Sequence, residues 1–215
     1  MATVAEVFAL AVQHHQAGKL SQAEQLYQQI LVADPRHADS HHLLGIVAYQ
    51  TGRFDVAIAC ILQALALNPG AAAYHSNLGL VQEAAGQIAE AMASFQRALL
   101  FQSDLVEAHG NLGNALFRQG QHAQAVSHYQ QALRLRPNYA EAHCGLGMTL
   151  AEQGNVNEAA AHFRQAVILS PQFASAHNNL ANMLFKQGKL EEAETHCRQA
   201  LCAAMSGRMP SATMR

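Results

Sequence analysis

The chain has 215 residues, half of them hydrophobic, yet only 6% are aromatic and Trp is absent. So much apolar content excludes an intrinsically disordered chain, and a formal net charge of −2 excludes the basic excess that nucleic-acid binders use to release counterions. Alanine is present 42 times and buries little area per residue, so the composition fits many thin helix–helix contacts better than one large core.

The N-terminal stretch MATVAEVFALAVQHH has no charged segment ahead of its apolar residues, so no signal peptide is read there. No run approaches the ~18 apolar residues of a membrane span. From Val4 the chain repeats every 34 residues without insertion or deletion. The units cover 4–37, 38–71, 72–105, 106–139, 140–173 and 174–207, and an irregular tail follows at 208–215. Each unit predicts a helix A over its first 14 positions and a helix B over positions 17 to 30. In chain order the predicted pairs are 4–17 and 20–33, 38–51 and 54–67, 72–85 and 88–101, 106–119 and 122–135, 140–153 and 156–169, and 174–187 and 190–203.

Each column of the repeat has a physical reason. Position 15 is always Gly (Gly18, Gly52, Gly86, Gly120, Gly154, Gly188), as a left-handed C′ residue after helix A requires. Position 7 is always Leu, from Leu10 to Leu180, and position 20 always Ala, from Ala23 to Ala193. Position 8 is small (Ala11, Gly45, Gly79, Gly113, Gly147, Ala181), and position 24 is large in five units (Tyr27, Ile61, Phe95, Tyr129, Phe163) before Cys197. Small residues let helices approach, and the large one fills the space between them. Position 32 is Pro in four units, which is expected to stop helix B; Ser103 and Met205 replace it in the third and sixth.

Six copies in phase resemble the tetratricopeptide repeat (TPR) family over nearly the whole chain. The sequence departs from that pattern at position 4, where His or Val stands in place of the common Trp. The resemblance implies an all-α fold, a right-handed superhelical solenoid of six helix-turn-helix units with stability summed over neighbours. It also implies a concave face lined by helix A positions 2, 5, 6, 9, 12 and 13. Position 6 there carries Asn77, Asn111 and Asn179, position 9 carries Asn114 and Asn182, and position 5 carries Asn178. Asn is a poor helix former, but its amide donates and accepts, so it can hold an extended peptide by its backbone. This line resembles the asparagine ladder in the TPR region of O-linked N-acetylglucosamine transferases and their bacterial relatives, with Leu43 and Gly145 as interruptions. Solvated groove residues of a repeat consensus are the alternative. Tyr49, Phe117 and Phe185 at position 12 either form apolar pockets or pack on the next repeat. The clamp by which other TPR domains hold a C-terminal carboxylate needs cations at positions 2 or 5, and none is present there.

Five histidines at position 4 (His41, His75, His109, His143, His177) form one column, on the order of 10 Å between rungs given helix packing distances. Neighbouring rungs cannot share a zinc ion with ligands at about 2 Å, so they are expected to be packing residues, with no metal site. Cys60, Cys144, Cys197 and Cys202 form no C-x-x-C pair and are expected to be reduced structural thiols, which fits a cytoplasmic protein. No catalytic motif is found, so no enzyme activity and no cofactor are expected. The partner expected is a protein or extended peptide, without nucleic acid or membrane. Two alternatives stand beside this scaffold. The array is the substrate-recruiting arm, or a truncated relative, of a protein O-glycosyltransferase, since AAAYHSNLG and ASAHNNLANMLFKQGKLEEA resemble such arrays. Or it self-assembles as a homo-oligomer through its last helix.

Overall fold

A computed structural model describes residues 3–206 of the chain. Position 207 and the expected tail at 208–215 lie outside the described residues. The described residues hold twelve α-helices and no strand. They fall into two compact units, one running to Ala108 and one from His109.

The N-terminal unit holds α1 (Val4–Gln16), α2 (Leu20–Ala33), α3 (Ala38–Gln50), α4 (Phe54–Leu67), α5 (Ala72–Ala84) and α6 (Ile88–Phe101). α7 (Val106–Arg118) begins just before the division between the units. The C-terminal unit continues with α8 (His122–Leu135), α9 (Ala140–Glu152), α10 (Val156–Leu169), α11 (Ala174–Lys186) and α12 (Leu190–Ser206). Each helix A is thus 13 residues, one shorter than its expected span, and each helix B opens at position 17 as expected.

The turn between helices A and B is the same device six times. The glycine at position 15 has φ between +72° and +82°. In the first unit Gly18 N–H donates to the His15 carbonyl and Lys19 N–H to the His14 carbonyl, which satisfies two carbonyls the helix end would leave unpaired.

Packing explains the small and large columns. The aromatic of position 24 lies on the glycine of position 8. A Cβ added at Gly79 would come within 2.5 Å of the Phe95 ring, and one at Gly147 within 2.8 Å of Phe163. Tyr27, Ile61, Phe95, Tyr129 and Phe163 are buried, as are the alanines at position 20 in all six units. In the N-terminal unit Leu78 of the third repeat joins Ile61 and Leu65 of the second in one cluster, so position 7 packs into the preceding repeat.

Two expectations are corrected. Proline does not set the end of helix B. α6 stops at Phe101, at position 30 like α2, α4, α8 and α10, although Ser103 follows where the others have Pro. The cap N–H of Gln102 reaches the Ala98 carbonyl just as Asn68 reaches Ala64, so the same local turn forms without the ring. Where Met205 replaces Pro, α12 runs on to Ser206. The cysteines are not all packing residues either. Cys144 is buried, whereas Cys197, at the position filled elsewhere by a buried large side chain, is exposed together with Cys202. None of the four is in a disulfide.

Candidate functional site: a pocket on the helix A faces of the C-terminal unit

Helix A positions 6, 9, 12 and 13 recur on one side of each repeat, and in the C-terminal unit they converge on a cavity of about 420 Å³. Its apolar walls come from Phe117 on α7, Met148 and Ala151 on α9, Phe163 on α10, and Met183 and Phe185 on α11. Its polar groups are Asn179 and Asn182, with Glu152 and Lys186 of opposite charge at position 13. An apolar hollow with a few convergent polar groups is the usual form of a binding site. Phe185 is 67% exposed, so most of its ring is open to solvent.

Of the residues singled out from the sequence, the structure brings Phe117, Asn179, Asn182 and Phe185 together here. Asn111 is half-buried on α7, and Asn178 lines a separate hollow between α11 and α12 with Cys197, Ala200 and Leu201. Asn77 and Tyr49 belong to the N-terminal unit. Tyr49 is half-buried, packs on the Ile61 cluster and has its ring 6.1 Å from that of Phe54.

Several of the amides already have partners. Asn77 Nδ2 donates to His42 Nε2 at 2.8 Å. His42 is buried and stacked on Tyr74, and burial holds its imidazole down to about 4, against the opposing charge of Asp39. It is therefore neutral and able to accept. The Tyr74 hydroxyl donates in turn to Asp39. Asn114 Oδ1 accepts the Tyr129 hydroxyl at 2.7 Å. Asn179 hydrogen-bonds Cys144, whose thiol burial pushes up to about 11 in spite of that bond. Asn182, by contrast, is exposed at the rim of the cavity.

Gly145, which interrupts the Asn column, has a local cause. A Cβ there would lie 2.5 Å from the Tyr129 ring. Tyr129 extends past Gly113 to reach Asn114, and Gly145 makes room for it.

The position-4 histidines do more than pack. Nε2 of His41, His75, His143 and His177 lies 2.8–3.1 Å from the carbonyl oxygen of the preceding Pro35, Pro69, Pro137 or Pro171. In three repeats the position-4 ring meets a second histidine at position 23: His128, His162 or His196. The sequence pattern did not anticipate these partners, although three histidines spaced by 34 were the available signal. Among the described residues no group of three or more His, Cys, Asp or Glu is placed to hold a metal ion. No helix among them is long and apolar enough to cross a membrane.

Fold and pocket together define an α-helical repeat protein with a recessed, amide-bearing face. The family model described as tetratricopeptide repeat matches residues 8–59, 42–105 and 145–210, and one described as TPR repeat matches 113–154. The chain belongs to the tetratricopeptide repeat family. No curated protein sequence matches it. Among solved structures it is similar to PilF of Pseudomonas aeruginosa, with 19% identity over 90% of this chain and 88% of that one and a TM-score of 0.82. PilW, described as a widely conserved type IV pilus biogenesis factor, matches at 20% identity over 98% and 95%, with a TM-score of 0.81. YrrB, described as a TPR protein with an unusual peptide-binding site, matches at 22% over 85% and 98%, with a TM-score of 0.65. These likenesses concern the fold.

Proposed function

We propose that the chain is a protein-interaction module. It holds an extended segment of a partner protein against the helix A faces of its C-terminal unit. A bulky apolar side chain of that segment enters the hollow between Phe117, Met148 and Phe185, and the Asn182 amide bonds the adjacent peptide backbone. The observation that carries this is the convergence of two asparagines and three phenylalanines on one cavity. An amide pairs with any backbone, so affinity comes from it and selectivity from the apolar walls. Glu152 and Lys186 favour a segment with charges of both signs near its anchor. YrrB, which shares the fold and is described as having a peptide-binding site, supports such a use of it.

A library of extended peptides varied at one apolar position tests the reading. Bound sequences should carry a large apolar residue, and Phe185→Ala or Asn182→Ala should weaken them on the order of tenfold, as loss of one anchor or hydrogen bond does. Binding unaltered in both variants would overturn it. Asn77→Ala is a poor probe, because it also removes the bond to His42.

A second reading, self-association through α12, is favoured by one observation. Leu201 is 65% exposed, whereas Leu65 and Val167 at the same position of other repeats are buried, and Met205 beside it is 67% exposed. Sedimentation across a hundredfold concentration range that finds only monomer would remove it.

A further inference from the structure

Three histidine pairs recur at one place in the repeat, all in the C-terminal unit. Nδ1 of His109, His143 and His177 lies 2.9, 3.0 and 2.9 Å from Nδ1 of His128, His162 and His196. The ring centroids are 5.2–5.3 Å apart, so the two nitrogens face each other along the line joining the rings. Two lone pairs or two protons would repel there, so each pair holds one proton between its rings. The far nitrogen decides which ring owns it. Nε2 of His143 and of His177 faces a proline carbonyl at 3.1 Å, which only accepts. Those rings therefore carry hydrogen on Nε2 and present a lone pair at Nδ1. His162 and His196 must donate from Nδ1 and keep a lone pair on Nε2.

One added proton fits this arrangement. It enters at Nε2 of His162 or His196 and leaves the bridging bond in place, now charge-assisted. A second can only enter at the bridging Nδ1, and it destroys the bond. The surroundings are mixed: His128 faces His109; His162 faces His143 and Glu158; His196 faces His177, Glu192 and Arg164. Burial first, and the facing ring second, hold His128, His162 and His196 below the ordinary imidazole value. In the first three repeats position 23 is Leu26, Cys60 or Ser94, and no such pair exists.

Each pair ties a helix A to its helix B: α7 to α8, α9 to α10, α11 to α12. α7, α9 and α11 supply Phe117, Met148 and Phe185 to the pocket, and α10 places Phe163 there directly after His162. We propose that the three pairs are an acid-sensitive latch on the pocket walls. Neutral solution keeps each helix A bonded to its helix B, and protonation of both rings of a pair parts them and opens the site. What the latch regulates rests on the peptide-binding reading. Whether it exists is tested without any peptide, so the two can fail separately.

Nitrogen-15 NMR of the full chain reads the tautomers. At pH 8, His143 and His177 should be protonated at Nε2, and His162 and His196 at Nδ1. The pairs should take up their two protons in separate steps as the pH is lowered, and the methyl signals of Met148 and Met183 in the pocket should move with the second, which breaks the bridging bond. All six rings in the Nε2–H form at pH 8, or methionine methyls that stay still while the pairs titrate, would overturn the proposal. A combined His128→Gln, His162→Gln and His196→Gln variant keeps an N–H donor and removes the ring that takes the first proton of each pair. The urea midpoint of this variant should fall less on acidification than that of the unaltered chain, and an equal fall would sink the latch. Should the variant not fold, the NMR readings decide.

Discussion

At the scale of single residues, contact distances turn small columns into constraints. Gly145 stands where the ladder has Asn because the Tyr129 ring occupies the space. Gly145→Ala should cost about 1–3 kcal/mol, as overpacking does, read from urea unfolding; a change within about 0.5 kcal/mol of zero would show that the ring yields freely. His42 offers a test in the N-terminal unit. Its proton affinity is lower folded (about 4) than unfolded (about 6.5), so its contribution is complete above pH ~6.5 and is lost as pH falls toward 4. The loss amounts to about 3 kcal/mol when complete. His42→Gln should flatten that part of the stability–pH curve, measured by urea midpoints between pH 7 and 4.5. Neither feature was legible beforehand. Position 6 announces Asn as a motif, but whether an amide is occupied depends on a residue of the preceding unit, His42 for Asn77 and Cys144 for Asn179.

At the scale of elements, punctuation made the helices readable. Every A–B turn is closed by a glycine that must take positive φ, so its spacing fixed where helix A ends. Replacing Gly86 with Ala should cost about 1–2 kcal/mol from the left-handed backbone alone, since no atom lies near enough to clash. Thermal unfolding of Gly86→Ala beside Gly79→Ala separates backbone strain from the clash with Phe95; equal loss of shape around Phe95 in both would contradict the distinction. The ends of α2, α4, α6, α8 and α10 fall at position 30 as the repeat predicts, but proline is not the cause. The proline at position 32 follows a turn that α6 makes without it, and only α12, with Met205, runs past that point. The position-23 histidines are not legible in a single column, because a pair needs two columns read together, nineteen residues apart.

At the scale of the whole chain, the period of 34 carried the fold, and the composition follows from it. Alanine is abundant because several positions per repeat must be small, and aromatics are few because only four of the six repeats bury a ring at position 24. Contacts within each unit run mainly between helices adjacent in the chain, so stability is a nearest-neighbour quantity. Phe95→Ala should therefore cost about 3–5 kcal/mol and show as lost hydrogen-exchange protection centred on α5 and α6, fading along the chain. Uniform loss over both units would argue against local cooperativity. The candidate pocket was only half legible. Phe117, Asn179, Asn182 and Phe185 were singled out by residue type at groove positions; Met148, Ala151, Glu152 and Lys186 stand at the same positions without a type that marks them, and only Phe163 and Met183 enter through side-chain direction.

The uneven exposure of the cysteines gives the chain a built-in labelling scheme. Cys197 and Cys202 are open to solvent on α12, while Cys60 and Cys144 are shielded and their thiols are pushed away from the reactive thiolate by burial. A limiting amount of a maleimide fluorophore at neutral pH should therefore mark the last helix of the unmutated protein, and mass mapping would expose any label on Cys144. The dye would then sit beside the exposed Leu201, reporting from the face on which self-association would occur.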